Sequence, residues 1–136
     1  MNYNVNDENF KNSEMYQRFL RENPSSGFLK IRAYAANQAV PISNLKIVIT
    51  KDIENNNVTF FEGTTNDSGV IERIILPAPL LNQNDLIAPA STTYEIRATY
   101  TPDNITQIFR VNMYENVGVI QNINIVPDMN MKMGGF

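Results

Sequence analysis

The chain has 136 residues, of which 43% are hydrophobic, no cysteine, no histidine and a formal net charge of -3. It is long enough for one domain with a self-sufficient core. The missing residue types exclude a disulfide framework, a thiolate or imidazole zinc site, and the Ser–His–Asp and Cys–His nucleophile arrangements. A pI near 4.9 and lysines and arginines that never occur side by side argue against a nucleic-acid partner.

Residues 1–26 are polar and Asn-rich, without the basic and apolar regions of a secretory signal. Met15/Phe19 and Tyr16/Leu20 are spaced i,i+4, which predicts a short helix capped by Asn12 or Ser13 and ended by Asn23-Pro24. A helix of about 10 residues is marginal alone in water. This leader is therefore either partly disordered or a docking segment for the same or a neighbouring subunit, with Phe10, Met15, Tyr16, Phe19 and Leu20 as interaction candidates.

From Gly27 the pattern has a period of two. Leu29, Ile31 and Ala33 alternate with polar residues, and after Pro41 so do Leu45, Ile47 and Ile49. Val58–Glu62 predicts a third strand and Val70–Leu76 a fourth, separated by the GTTNDSG turn. There Asp67 and Ser68 are expected to bond backbone amides and Gly69 to supply a positive φ. Residues 76–92 carry Pro77, Pro79 and Pro89, which excludes a central strand. Leu80, Leu81, Leu86 and Ile87 there are expected to form a packed cover, the other reading being a ligand loop.

Thr93–Tyr100, Ile105–Tyr114 and Val117–Val126 complete seven strands in about 100 residues. Weak alternation near Ile120 marks the last as an edge or a bulge. The expected fold is all-β: a roughly seven-stranded antiparallel, Greek-key β-sandwich over 27–127, with a helical or disordered leader (1–26) and a flexible tail (128–136). In that tail Met129, Met131 and Met133 alternate with polar residues ahead of Phe136. These four complete the interaction candidates, because an alternating Met segment either frays or adds to an exposed sheet edge.

The layout G-x-L-x-I from Gly27, P-I-x-N-x-K-I-x-I from Pro41, T-N-x-S-G from Thr65 and I-x-L-P-A-P resembles the carboxypeptidase regulatory-like, or prealbumin-like (transthyretin-like), β-sandwich. The LPAP step (Leu76 to Pro79) and the closing strand ending at Pro127 look like the version found in clostridial spore cortex-lytic enzymes, where it accompanies a separate hydrolase domain. The resemblance covers about 27–127 and implies fold rather than activity. The branch that hydrolyses 5-hydroxyisourate uses histidines and a C-terminal Tyr-Arg-Gly-Ser; this chain has neither.

Acidic residues are the remaining catalytic candidates. Glu62, Asp67, Glu72, Asp52 and Glu54 flank turns but lack the order of a calcium loop, so no metal, cofactor or catalytic site is expected. Arg32, Arg73, Arg97 and Arg110 are expected to pair with Glu across strands. The Asn-x-Ser/Thr matches at Asn57, Asn66 and Asn104 are read as chance. No stretch approaches the ~20 apolar residues of a membrane helix, so no membrane insertion is expected and the chain reads as soluble.

Three functions follow. The first is a non-catalytic structural or protein-interaction subunit, with a second copy (homo-oligomer or filament) foremost among its protein partners. It would be made in the cytoplasm of an AT-rich bacterium, a Firmicute on the resemblance, and become spore- or envelope-associated after assembly or lysis. The second is a regulatory or targeting domain for a separately encoded peptidoglycan (cortex-lytic) hydrolase. The third is a small-ligand or carbohydrate-binding sandwich using 76–92, which the absence of Trp weakens.

Overall fold

The structure, a computed structural model, describes residues 2–35, 39–81 and 90–126. Two helices precede the sandwich. The Asp7 side chain accepts from the Asn9 N–H and caps α1 (Glu8–Lys11). The Ser13 hydroxyl accepts from the Tyr16 N–H at 3.2 Å and caps α2 (Glu14–Glu22), as the sequence predicts. Asn23 closes α2, its side-chain amide donating to the Phe19 carbonyl at 3.0 Å, and Pro24 cannot continue the helix.

Among the described residues the chain forms nine strands in two sheets, the all-β sandwich-like architecture that the alternation implies. The first sheet runs in the order β1 (Asn2–Asn4), β5 (Asn56–Thr64), β4 (Lys46–Ile53), β7 (Thr92–Tyr100), β8 (Ile105–Met113). The second is built on β2 (Ser25–Ala35), which pairs antiparallel with β6 (Val70–Ala78) and the two-residue β3 (Val40–Pro41), and parallel with β9 (Gly118–Asn124). The two opening runs of alternation, β2 and β4, therefore lie in different sheets rather than side by side. The chain turns back at β3, bonds Ile42 N–H to the Ala33 carbonyl at 3.0 Å, and then crosses over.

Two pairings are parallel, β1 with β5 and β2 with β9. Side-chain alternation carries no information on strand direction, and a parallel neighbour requires a crossover. Here the crossover is Tyr114–Val117, which leaves β8 in one sheet and enters beside β2 in the other. Its approach is close enough that a Cβ on Gly27 would lie 2.7 Å from the Tyr114 carbonyl. Gly27 is thus a packing requirement within β2, which already begins at Ser25.

The inward faces follow the alternation. Leu29, Ile31 and Ala33 of β2 meet Ile47 and Ile49 of β4, Tyr94, Ile96 and Ala98 of β7, and Ile123 of β9 in one buried core. On β5 the register shifts: Ile49 faces Phe61 but Thr50 faces Thr59, leaving Phe60 as the extra residue of a bulge. The bulge lets two consecutive phenylalanines pack against the core, which a regular strand forbids.

The turns depart from expectation in detail. In the β5–β6 turn it is the Asn66 carboxamide, not Asp67 or Ser68, that accepts from the Ser68 and Val70 amides at 2.9 and 3.0 Å. Gly69 takes φ 74°, and a Cβ there would meet the Ala33 carbonyl at 2.3 Å. The β4–β5 hairpin is turned by Glu54 and Asn55, both left-handed, as tight hairpins require. Pro77 lies inside β6, opposite Ser26. β6 has no second neighbour among the described residues, so the missing N–H costs no ladder bond. Leu80 and Leu81 are exposed and form no cover: β6 has ended, and Leu81 is held by its amide on the Glu115 carboxylate at 2.8 Å. Leu86, Ile87 and Pro89 lie outside the described residues.

Gly27→Ala tests the close approach of the crossover. It is expected to destabilise the fold by about 2 kcal/mol, because the added methyl meets backbone that cannot swing aside. Equilibrium urea unfolding measures this, and an unchanged midpoint would refute the role given to Gly27.

Candidate functional site

The five leader candidates form the seam between the helices and the sandwich. Phe10 and Phe19 are 3% and 6% exposed and belong to the same core as the strands, with Met15, Tyr16 and Leu20 packed against it. The rings form a continuous series. Tyr3 stacks on Phe10 at 4.9 Å, and Phe10 meets Tyr16 at 5.0 Å. Phe19 meets Phe60 at 5.6 Å, and Phe60 meets Tyr94 edge-on at 5.1 Å. The i,i+4 stripe identified in sequence thus docks on its own chain. Phe60 reaches it because of the β5 bulge, which alternation alone does not reveal. Outside the ring series Arg18 holds Glu54 through Nε at 3.0 Å and Nη2 at 2.8 Å, tying α2 to the hairpin turn.

Tyr94 sits where the layers meet. Its hydroxyl donates to the Pro77 carbonyl of the opposite sheet at 2.6 Å. Burial pushes its pKa far above the ordinary 10.0. Lys51 Nζ lies 5.9 Å from the ring centroid and donates to the Thr93 carbonyl at 3.0 Å, and burial pushes that ammonium down. Beside this seam Thr92 donates its hydroxyl to the buried Asn23 carboxamide. A cleft of about 510 Å³ opens between α2, the β4–β5 hairpin and the start of β7, with Arg18, Lys51, Glu54 and Thr92 on its walls. Pro79 and Ala90 complete its rim.

The outer face of the second sheet differs in character. Phe28 of β2 lies opposite Ile75 of β6 and Gly118 of β9, and Lys30 lies opposite Ile120. Ile75 and Ile120 are 59% and 53% exposed. Together with Phe28 they form an apolar row across three strands. The Arg73 guanidinium lies 4.3 Å over the Phe28 ring, and Lys30 pairs with Glu72 at 3.3 Å beside it. A shallow depression of about 390 Å³ runs along Phe28 and Ile120. A Cβ on Gly118 would meet nothing within 4 Å, so the notch beside Phe28 is open. Ile75, Ile120 and Phe28 were not among the candidates from sequence. Their outward phase was readable, but the alignment of three separate strands into one row was not.

Of the carboxylates, Glu54 and Glu72 are engaged by Arg18 and Lys30. Among the described residues no three acidic side chains converge. Arg97 pairs with Glu95 along its own strand at 3.7 Å, and Arg73 stacks on Phe28, so cross-strand Arg–Glu pairing is not the rule here. Among the described residues no helix is long and apolar enough to cross a membrane. Met129, Met131, Met133 and Phe136 lie outside the described residues.

No protein-family model matches the chain, and no curated protein does. Among solved structures the fold is similar to the crystal structure of (S)-allantoin synthase, with a TM-score of 0.46 and 14% sequence identity over 80% of this chain and 45% of that one. The chain therefore spans under half the length of that protein.

Two outcomes test the seam. Phe19→Ala is expected to destabilise the fold by about 3 kcal/mol in urea unfolding, because a ring buried among rings is replaced by a cavity; a cost below about 1 kcal/mol would contradict that burial. The second concerns pH. Burial raises the folded-state pKa of Tyr94 and, more weakly, of Tyr16. The unfolded chain therefore releases those protons first, and their contribution is complete below about pH 10 and lost above it. Each retained proton removes about 1.4 kcal/mol per pH unit. Lys51 has the opposite sign, so the comparison needed is with Tyr94→Phe, whose stability should fall less steeply above pH 10. Identical slopes would refute this.

Proposed function

We propose that this chain is a non-catalytic protein-interaction module that associates with further copies of itself as a structural subunit. The observation that carries the reading is the apolar row Phe28, Ile75 and Ile120 on the outer face of the second sheet, two of whose members are more than half exposed. An outward sheet face facing only water is ordinarily polar. An apolar row crossing three strands, stiffened by Arg73 and the Lys30–Glu72 pair, has the make-up of an interface centre with a charged rim. The leader aromatics are spent on the chain's own core and so do not compete with the sheet face as an interface.

The prealbumin-like resemblance, read from the motifs between Gly27 and Pro127, supports a bacterial surface- or spore-associated setting for such an assembly. Regulation of a separate cortex-lytic hydrolase rests on the same resemblance and has no further observation in its favour.

Sedimentation of the full chain over a wide concentration range tests the reading. Concentration-dependent association is expected, and Ile75→Lys, on an exposed position that folding does not need, should weaken it by about tenfold or more. A chain that stays monomeric throughout, or an Ile75→Lys variant that associates as the parent does, would sink it.

A further inference from the structure

The second sheet has an open edge beside the apolar row. β9 pairs with β2, and no other strand among the described residues lies on its far side. Val117 carbonyl accepts from Phe28 N–H, and Ile125 N–H donates to the Tyr34 carbonyl. This parallel ladder points the odd-numbered residues of β9 at β2 and leaves the N–H and C=O of Gly118, Ile120, Asn122 and Asn124 on the open edge. Two of those carbonyls are occupied by side-chain amides: Gln121 Nε2 donates to Asn122 at 3.0 Å, and Gln107 Nε2 to Asn124 at 3.1 Å. Gly118 and Ile120 have no such substitute among the described residues. The open end of the edge therefore coincides with the end of the apolar row.

We propose that residues 127–136 of a second copy add as a strand to this edge. The inference rests on the self-association reading above and names its contact. The segment is suited to the site in three ways. It has ten residues, or about 33 Å extended, enough to follow the roughly 23 Å of β9. Beyond Pro127 it contains no proline, so it can donate at every position. Its period of two puts Met129, Met131 and Met133 on one side. In an antiparallel addition, the phase that aims their backbone groups at β9 puts the three thioethers on the same face as Ile120, extending the apolar row outwards.

A return onto the segment's own β9 would need a loop of three or more residues, because proline cannot take the positive φ that opens a tight two-residue turn, and it would leave the chain monomeric; addition in trans is the contact proposed. Because edge and segment are different surfaces, the contact either closes as a dimer by reciprocal exchange of segments or propagates to a ring or filament.

Two full-chain variants separate the halves of the contact. Met131→Pro removes a donor from the segment without touching the described core. Ile120→Pro removes an N–H that points away from β2, a position where proline is tolerated on an edge. Where circular dichroism shows that Ile120→Pro does not fold, Ile120→Lys replaces it. The parent is expected to form a dimer or larger species by sedimentation. Each variant alone should be monomeric at concentrations at least about tenfold above those at which the parent assembles. An equimolar mixture should give a 1:1 dimer that grows no further, since one intact segment meets one intact edge. If the parent assembles and Met131→Pro assembles equally, or if the mixture stays monomeric, the strand-addition contact is overturned while self-association stands. A monomeric parent overturns both.

Discussion

The fold depends on the stack of rings that ends at Tyr94. A sandwich whose first sheet has five strands and whose second has four leaves part of one inner face uncovered, and α1 and α2 cover it. Phe10 and Phe19 join the strand core, Phe60 carries the contact onto β5, and Tyr94 passes it through β7 to the opposite sheet by its bond to the Pro77 carbonyl. Each ring buries a large apolar area in offset or edge-on contact. The hydroxyl at the end is satisfied inside the protein, where an unmet polar group would be costly. The polar partners at the same seam, Asn23 with Thr92 and Lys51 with the Thr93 carbonyl, follow the same rule.

That arrangement decides which surfaces remain for function. Once the leader is part of the core, its aromatic residues serve folding. On the second sheet folding leaves unexplained the row through Phe28, the exposed Ile75 and Ile120, and the open edge of β9, while Ile108 of β8 and Leu80 are exposed singly elsewhere. The β6 edge carries Pro77, and the far end of the β9 edge has side-chain amides on the Asn122 and Asn124 carbonyls. The Gly118–Ile120 stretch has neither device, and it lies beside the row.

Much of the sandwich was legible. The period of two gave the inward residues of β2 and β4 correctly, Ser13 and Asn23 bounded α2, and Gly69 sat at its positive φ. The misses share one cause. Alternation says which face a side chain takes but not which strand lies alongside, in which direction, or in which sheet. Hence the placing of β2 and β4 in different sheets and the parallel entry of β9 were not legible, and Leu80 and Leu81 read as a cover. The Phe60 bulge is a register event between two strands, and no window of one strand contains it.

The sequence by itself determined the class and the exclusions. Without cysteine or histidine no chemistry of those groups is available, and short alternating runs broken by Gly, Pro and Asn fold as strands because each has one apolar face to bury. Only the tertiary structure decided that the helical stripe closes the chain's own core, that Gly27 makes room for a crossover, and that three outward residues from distant segments form one row. Those outcomes depend on pairing between strands 40 to 90 residues apart, and burial fixes such pairing collectively, through the fit of all inner faces at once.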